Sequence, residues 1–332
     1  MVMSKVRMSI LGCGGMSGQH AHRFKSMSDV EIVALCDVSE EVVNAYIDRN
    51  LSGIEPRPAV FTDAATMYAE ARPDAVTIVT PHTMHFEHGM QAIEAGCHVL
   101  MEKPMVTDST QARQLAQAVE KAGKIFVVGY NTPCTPAFEY IRNVIRGGEL
   151  GKLELVSGWQ TQDWRRLTTG TWRQEPELSG GGQMYDSGAH MFNSLVWSVE
   201  QPIETVYALA DNIGTAVDIN GIVNIRFANG VLATMAIGGN CPPDGAGMHF
   251  IFDSGRIDVD GWTGKWIKVF KGQKEIEPEL QGEANTPNDN FIDAVLGRAD
   301  QRTSPTNGVI QSQLMDAIYE SAASGQPARP QN

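Results

Sequence analysis

The sequence predicts an α/β protein of two domains. Three observations carry that expectation: strand-like apolar runs alternate with helical patterns over the first 130 residues, a glycine-rich turn joins the first run to the first helix, and the 332 residues exceed the roughly 100–200 of an average domain. Residues 6–12, 31–37, 75–80, 98–102 and 125–130 are short, β-branched or apolar runs bounded by turn residues. Near-continuous apolar strands of this kind are buried on both faces, as in parallel sheets. Helical patterns fill the intervals at 18–27, 40–49, 84–95 and 109–122. The alternation predicts a doubly wound parallel sheet over residues 1–131.

The first strand-to-helix turn reads GCGGMSG at 12–18. Gly12 permits the tight turn, and Gly14 lets the backbone approach a pyrophosphate whose charge rests on the helix N-terminus. Ser17 stands at the third motif position, and Asp37 closes the second strand where an acid binds a ribose diol. The expectation is a Rossmann dinucleotide-binding domain. Asp37 favours NAD over NADP, because a carboxylate repels a 2′-phosphate and no arginine follows it directly.

Composition narrows the alternatives. Hydrophobic residues at 42% and charged residues at 20%, without low-complexity tracts, describe an ordinary globular chain. No apolar run approaches the ~20 residues that span a bilayer. The opening MVMSKVRMSILG passes from one lysine and one arginine straight into a strand pattern, so a cytoplasmic protein is expected. Five widely spaced cysteines without a C-x-x-C read as reduced, mostly buried residues. The net charge of −13, with no basic run, argues against nucleic acid. Anionic ligands must then be held locally.

The second region, 132–332, changes character. A helix is expected at 136–146, then strands at 152–161, 204–211, 218–227, 231–238, 248–252 and 256–260, with hairpin turns at Asn229-Gly230 and Ser254-Gly255. Helices are expected to close the chain at 285–298 and 307–324. In 218–227, Ile219, Val223, Ile225 and Phe227 share one face, while Asn220, Asn224 and Arg226 share the other. That second face meets solvent or another subunit. Leu232, Thr234 and Ala236 extend it, and a homo-oligomer (dimer or tetramer) through the sheet is expected.

Within this region GGGQMYDSGAHMFNS at 180–194 sets Asp186 and His190 four residues apart, one helix face if the segment is helical. A carboxylate beside an imidazole suits proton transfer near neutral pH. It equally suits a surface pair or half a metal site. His82, His85 and His88 form H-x-x-H-x-x-H, but positions three apart drift round a helix, and no metal is expected there.

The glycine turn, His20, TPHTMHF at 80–86, HVLMEKPM at 98–105, D-x-G-x-H at 186–190 and YESAASGQ at 319–326 together resemble the Gfo/Idh/MocA family over nearly the whole chain. The resemblance implies an N-terminal Rossmann domain and a C-terminal α/β domain with a large, mostly antiparallel open sheet. It implies hydride transfer between a nicotinamide and a hydroxyl of a sugar, cyclitol or glycoside. Carried over, the catalytic set is Lys103, Asp186 and His190. The cofactor is lined by Gly12, Gly14, Gly15, Met16, Asp37, Thr80, Pro81, His82, His85, Glu102, Lys103 and Pro104. His82 stands where the family commonly has asparagine, and Asn193 and Ser194 lie where it often has a further aspartate.

Alcohol oxidation needs a base for the hydroxyl proton while hydride leaves the same carbon. His190 is matched to that task at neutral pH with Asp186 steadying it, and Lys103 polarises the oxygen; the reverse assignment of His190 and Lys103 stays open. Trp159, Trp164 and Trp172 lie beside Arg165, Arg166 and Arg173 in 159–183. Indoles suit a sugar's apolar face and arginines its hydroxyls, or the cluster packs a loop. On the first reading Trp164 and Arg173 join Lys103, Asp186 and His190 in binding the carbohydrate or polyol. Two other functions fit the same scaffold: an NAD-dependent glycoside hydrolase working by transient redox and elimination, and a non-catalytic sugar sensor.

Overall fold

Six strands make the first sheet in a computed structural model that describes residues 5–331. They are β1 (Val6–Leu11), β2 (Val30–Cys36), β3 (Ala59–Phe61), β4 (Ala75–Ile78), β5 (His98–Met101) and β6 (Phe126–Val128), with α1 (Ser17–Ser26), α2 (Glu40–Asn50), α3 (Ala64–Ala71), α4 (His85–Glu94) and α5 (Ser109–Ala122) between them. The order is β3-β2-β1-β4-β5-β6, all parallel. The chain reverses its direction of winding between β1 and β4, so the carboxyl ends of these neighbours open the crevice where such sheets bind ligands. Local chemistry sets the ends: Asp63 caps α3, accepting Thr66 N–H at 2.7 Å.

The second sheet has eight strands. Following α6 (Pro136–Gly147) come β7 (Leu153–Thr161), α7 (Trp164–Thr168), α8 (Pro176–Ser179), α9 (Gly188–Val199), β8 (Ile203–Asp211), β9 (Asn220–Phe227), β10 (Leu232–Gly238), β11 (Gly245–Phe252), β12 (Gly255–Asp260), β13 (Ile267–Lys271) and β14 (Lys274–Ile276). The order is β14-β13-β12-β11-β7-β10-β9-β8, and every pair is antiparallel except β7 with β10. Alternation sorts its two faces: Val223, Ile225, Met235, Met248 and Phe250 turn inward to a core shared with Phe138, Phe192 and Leu195. Leu155, Trp159, Tyr207, Leu209, Ile222 and Leu232 stand exposed on the opposite side.

Two helices end the chain, α10 (Pro287–Val295) and α11 (Pro305–Ser324). The chain divides into two compact units: the first runs through Val106 and includes Thr110–Gly129 and Pro287–Thr306, and the second holds Thr107–Ser109, Tyr130–Thr286 and everything from Asn307. This differs from a division at 131/132 into two continuous segments. Phe291 and Ile292 of α10 sink into the core of the first sheet with Met8, Ile10 and Val127, and Thr303 exchanges bonds with Val128 on the edge strand β6. Burying one such phenylalanine contributes about 1.5–3 kcal/mol, enough to decide which core a short helix joins. β3, α3, β13 and β14 are elements the sequence reading did not anticipate. None of the described helices is long and apolar enough to cross a membrane.

Candidate active site

In the first unit the glycine turn is shaped by contact. Gly12 has φ +96°, and a Cβ there would lie 2.6 Å from Val79 O, so no other residue fits. Gly14 and Gly15 have nothing within 4 Å of a built Cβ, which leaves room for a ligand to approach the backbone. Ser17 Oγ donates to Gly14 O at 2.7 Å, so the serine at the third motif position ties the turn together. Asp37 Oδ2 accepts Cys13 N–H at 2.7 Å and Oδ1 accepts Val38 N–H at 2.7 Å, fixing the carboxylate beside the turn. Met16, at the start of α1, supplies no side-chain cap, so the first N–H groups of the helix suit a phosphate. A cradle of this shape, with an acid at the second strand end, fits a dinucleotide.

The loops after β4 and β5 are tied to each other. His85 Nδ1 lies 2.7 Å from Pro104 O and Nε2 lies 2.9 Å from Thr80 O. Burial pushes its pKa down, opposed by the two carbonyls, and the neutral ring donates to one of them at a time. Both ring nitrogens of His85 face backbone carbonyls, so neither is directed at a position a metal could take. His82 is buried with its ring 5.8 Å from that of His85, while His88 Nδ1 meets Thr80 Oγ1 at 3.0 Å. Among the described residues there is no group of three or more ligating side chains. Glu102 is held at both oxygens: Oε1 is 2.7 Å from Nε2 of the buried His20, and Oε2 accepts Lys103 N–H at 3.1 Å. Lys103 itself is buried directly beyond β5, and its bond to Pro104 is cis.

In the second unit Asp186 and His190 do not share a helix face. Asp186 lies in a turn, its N–H donating to Gly182 O at 2.9 Å, and α9 begins two residues later, placing His190 in the first helical turn. Asp186 Oδ2 accepts Trp164 Nε1–H at 2.8 Å and Arg173 Nε–H at 3.1 Å. The guanidinium of Arg173 stacks on Trp172 at 4.5 Å, which fixes the plane of its fork. His190 is buried between Tyr130, edge-on at 5.8 Å, and Trp262, whose ring centre is 4.7 Å away.

The tryptophan and arginine stretch does not form one cluster. Trp164 packs with Val217 and Ile219, Trp159 lies on the outer face of the sheet, and Arg166 pairs with Asp163 at the surface. Trp164, Arg173 and Asp186, expected from the sequence to bind substrate, are joined by hydrogen bonds, Asp186 accepting from both of the others. Sequence reasoning missed Trp262, Tyr130 and the His20 contact with Glu102; His20 carried a signal in its place after the glycine turn, and the two aromatics carried none.

A cofactor cradle on a parallel sheet, followed by a strand-rich unit presenting an oriented carboxylate and imidazole, defines a two-unit dinucleotide-binding protein. A model described as "Oxidoreductase family, NAD-binding Rossmann fold" matches residues 6–130, and one described as "GFO/IDH/MocA C-terminal domain" matches residues 138–265. The chain belongs to the Gfo/Idh/MocA family. It is 28% identical over 205 residues to the D-glucoside 3-dehydrogenase of Escherichia coli K12, covering 61% of this chain and only 56% of that protein. It is 25% identical to the inositol 2-dehydrogenase of Rubrobacter xylanophilus, over 98% of this chain and 93% of that one. The crystal structure of the WlbA dehydrogenase from Bordetella pertussis, in complex with NADH and UDP-GlcNAcA, shares the fold: TM-score 0.85 at 24% identity, covering 99% of each chain.

Proposed function

We propose that this chain is an NAD-dependent oxidoreductase that transfers a hydride between the nicotinamide and a secondary hydroxyl of a sugar, cyclitol or glycoside. The observation that carries the reading is Lys103: a buried lysine immediately beyond a parallel strand, its own N–H bonded to Glu102, in the unit that bears the glycine cradle. Gly12, Gly14, Gly15, Met16, Thr80, Pro81, Glu102 and Pro104 hold the cofactor, and Asp37 accepts from the ribose diol, which favours NAD over NADP. The bound cofactor supplies the hydride acceptor. Lys103 and His190 divide the remaining work, one hydrogen-bonding the reacting oxygen and the other taking its proton. Asp186, oriented by the bonds its Oδ2 accepts from Trp164 and Arg173, is a fixed acceptor for the imidazolium or for a neighbouring hydroxyl. Arg173 is the donor beside it, so the pair offers a hydroxyl both partners.

The test is reduced-nicotinamide absorbance on mixing the protein with NAD⁺ or NADP⁺ and a panel of inositols, aldoses, anhydrosugars and glycosides, one of them chromogenic. A rise with NAD⁺ is expected. Chromophore release on a flat absorbance trace would replace the reading with redox-assisted hydrolysis. No change with any sugar, nor with NADH and the corresponding ketones, would leave a sensor.

The finer reading of assembly is that a second copy covers the outer face of the eight-stranded sheet. Leu155, Trp159, Tyr207, Leu209, Ile222 and Leu232 are exposed on this one face, interspersed with Asn224, Arg226 and Thr234, a mixture that suits an interface between copies. Light scattering should give a multiple of the chain mass, and Ile222→Glu should reduce it to the monomer. A monomeric parent protein ends the proposal.

A further inference from the structure

A buried carboxylate outside the proposed catalytic set holds the loop that carries Asp186. Asp218, just before β9, is almost fully buried, and its oxygens take three bonds: Oδ1 from Gly182 N–H at 2.8 Å and from Tyr319 O–H at 2.5 Å, and Oδ2 from Met184 N–H at 2.8 Å. Its backbone carbonyl accepts a fourth, from Gln183 N–H at 2.9 Å. The wrap is so close that a Cβ on Gly182 would collide with the Asp218 backbone, and one on Gly181 with the Tyr319 hydroxyl. Tyr319, on α11, stacks on Tyr185 at 5.7 Å. From this clamp the loop passes directly into the turn in which Gly182 O accepts Asp186 N–H. Burial pushes the Asp218 carboxyl pKa up, opposed by the bonds it accepts.

We propose that Asp218 and Tyr319 are positioning residues whose task is to fix the Gly182–Asp186 turn, and with it the carboxylate that Trp164 and Arg173 orient. Three donors converging on one buried carboxylate are more than core packing asks for, and all three come from the glycine loop or from the tyrosine that braces it. An asparagine at 218 keeps the volume but presents an NH₂ to one of those N–H groups, so one side of the loop must move. The catalytic meaning of the clamp rests on the proposed role of Asp186; its geometry does not.

The experiment reads the geometry without substrate or cofactor. The six indole N–H signals of the ¹⁵N-labelled protein include Trp164, whose hydrogen bond to Asp186 makes it a local reporter. Asp186→Asn assigns the signal and marks its position when the carboxylate is gone. Asp218→Asn should move the same signal towards that position and speed its exchange with solvent roughly tenfold, with the far-ultraviolet circular dichroism unchanged. Tyr319→Phe, which removes one hydroxyl, should move it less and in the same direction. A lowered melting temperature with Trp164 still at its original position would show that Asp218 only stabilises the core, and would overturn the inference. Should Asp218→Asn not fold, Tyr319→Phe decides by the same criterion. Separately, normal turnover by Asp186→Asn on the sugar panel would remove the catalytic reading while leaving the clamp intact.

Discussion

The two units build their candidate functional surfaces from different materials. In the first, backbone does it: the end of β1, a glycine turn, the N-terminus of α1 and a carboxylate twenty-odd residues along, all fixed by the parallel strands. In the second, side chains do it, on a loop whose shape depends on partners 36 and 137 residues away, Asp218 and Tyr319. A backbone site tolerates few residue types at a few positions. A side-chain site is sensitive to everything that holds it.

The largest expected effect comes from chemistry and should divide binding from turnover. Lys103→Ala should lower kcat by roughly 10²–10⁴-fold while leaving NAD⁺ affinity nearly intact, because the cradle is made by other residues. Steady-state kinetics with a dye-free titration of NAD⁺ checks both halves; near-normal turnover would sink the assignment. Next, Gly12→Ala and Gly14→Ala should separate fold from ligand. The first puts a Cβ 2.6 Å from Val79 O at φ +96° and should destabilise the first unit by about 1–3 kcal/mol. The second has open space and should leave melting unchanged while weakening NAD⁺ binding. Equal melting temperatures for the two variants would break the contrast.

A smaller effect is expected in the second unit. Trp164→Phe keeps an aromatic ring against Val217 and Ile219 while deleting the N–H that Asp186 accepts, together with part of the buried indole. The loss should be roughly tenfold in kcat, the scale of one hydrogen bond to a charged group, with KM for NAD⁺ unchanged. An unchanged kcat would mean that the loop alone positions Asp186.

These contrasts explain what was legible in the sequence. Gly12, Asp37 and the strand and helix alternation were readable because each is a local requirement with a fixed spacing. The allegiance of α10 was not, since an apolar face bearing Phe291 and Ile292 suits either core and only the fold says which is within reach. β13 and β14 escaped because Ile267–Lys271 and Lys274–Ile276 are short and carry charges on their exposed positions. The spacing of Asp186 and His190 suggested one helix face, but a turn closed on Gly182 O intervenes before α9. Asp218 left no trace, because a lone aspartate at a strand end looks like any turn residue until its three donors arrive from distant segments.

Acid should finally tell the units apart. In the first unit His85, His88 and His98 all have pKa values pushed below the ordinary 6.5 by burial, aided at His98 by Lys124. His98 Nδ1 accepts Ile125 N–H at 2.9 Å and must stay unprotonated to do so. The unfolded chain therefore binds more protons than the folded one below about pH 6.5, and the stability these residues contribute above that pH is lost as the pH falls through the window beneath it. In the second unit burial would raise the pKa of Glu200, but bonds from Arg142 and Arg146 outweigh it and hold it at about 2 against an ordinary 4.5. Its contribution is complete above 4.5 and is lost only between there and 2. Asp218, with its pKa raised, has the opposite sign and loses nothing on acidification. Hydrogen-exchange protection, corrected for the intrinsic rate at each pH, should thus decline first in α4 and β5, between pH 7 and 5. Protection in α9 and β9 should persist to below about pH 4.5. Simultaneous loss in both sets would mean that the units open as one cooperative body, and that the histidines of the first govern the acid response of the whole chain.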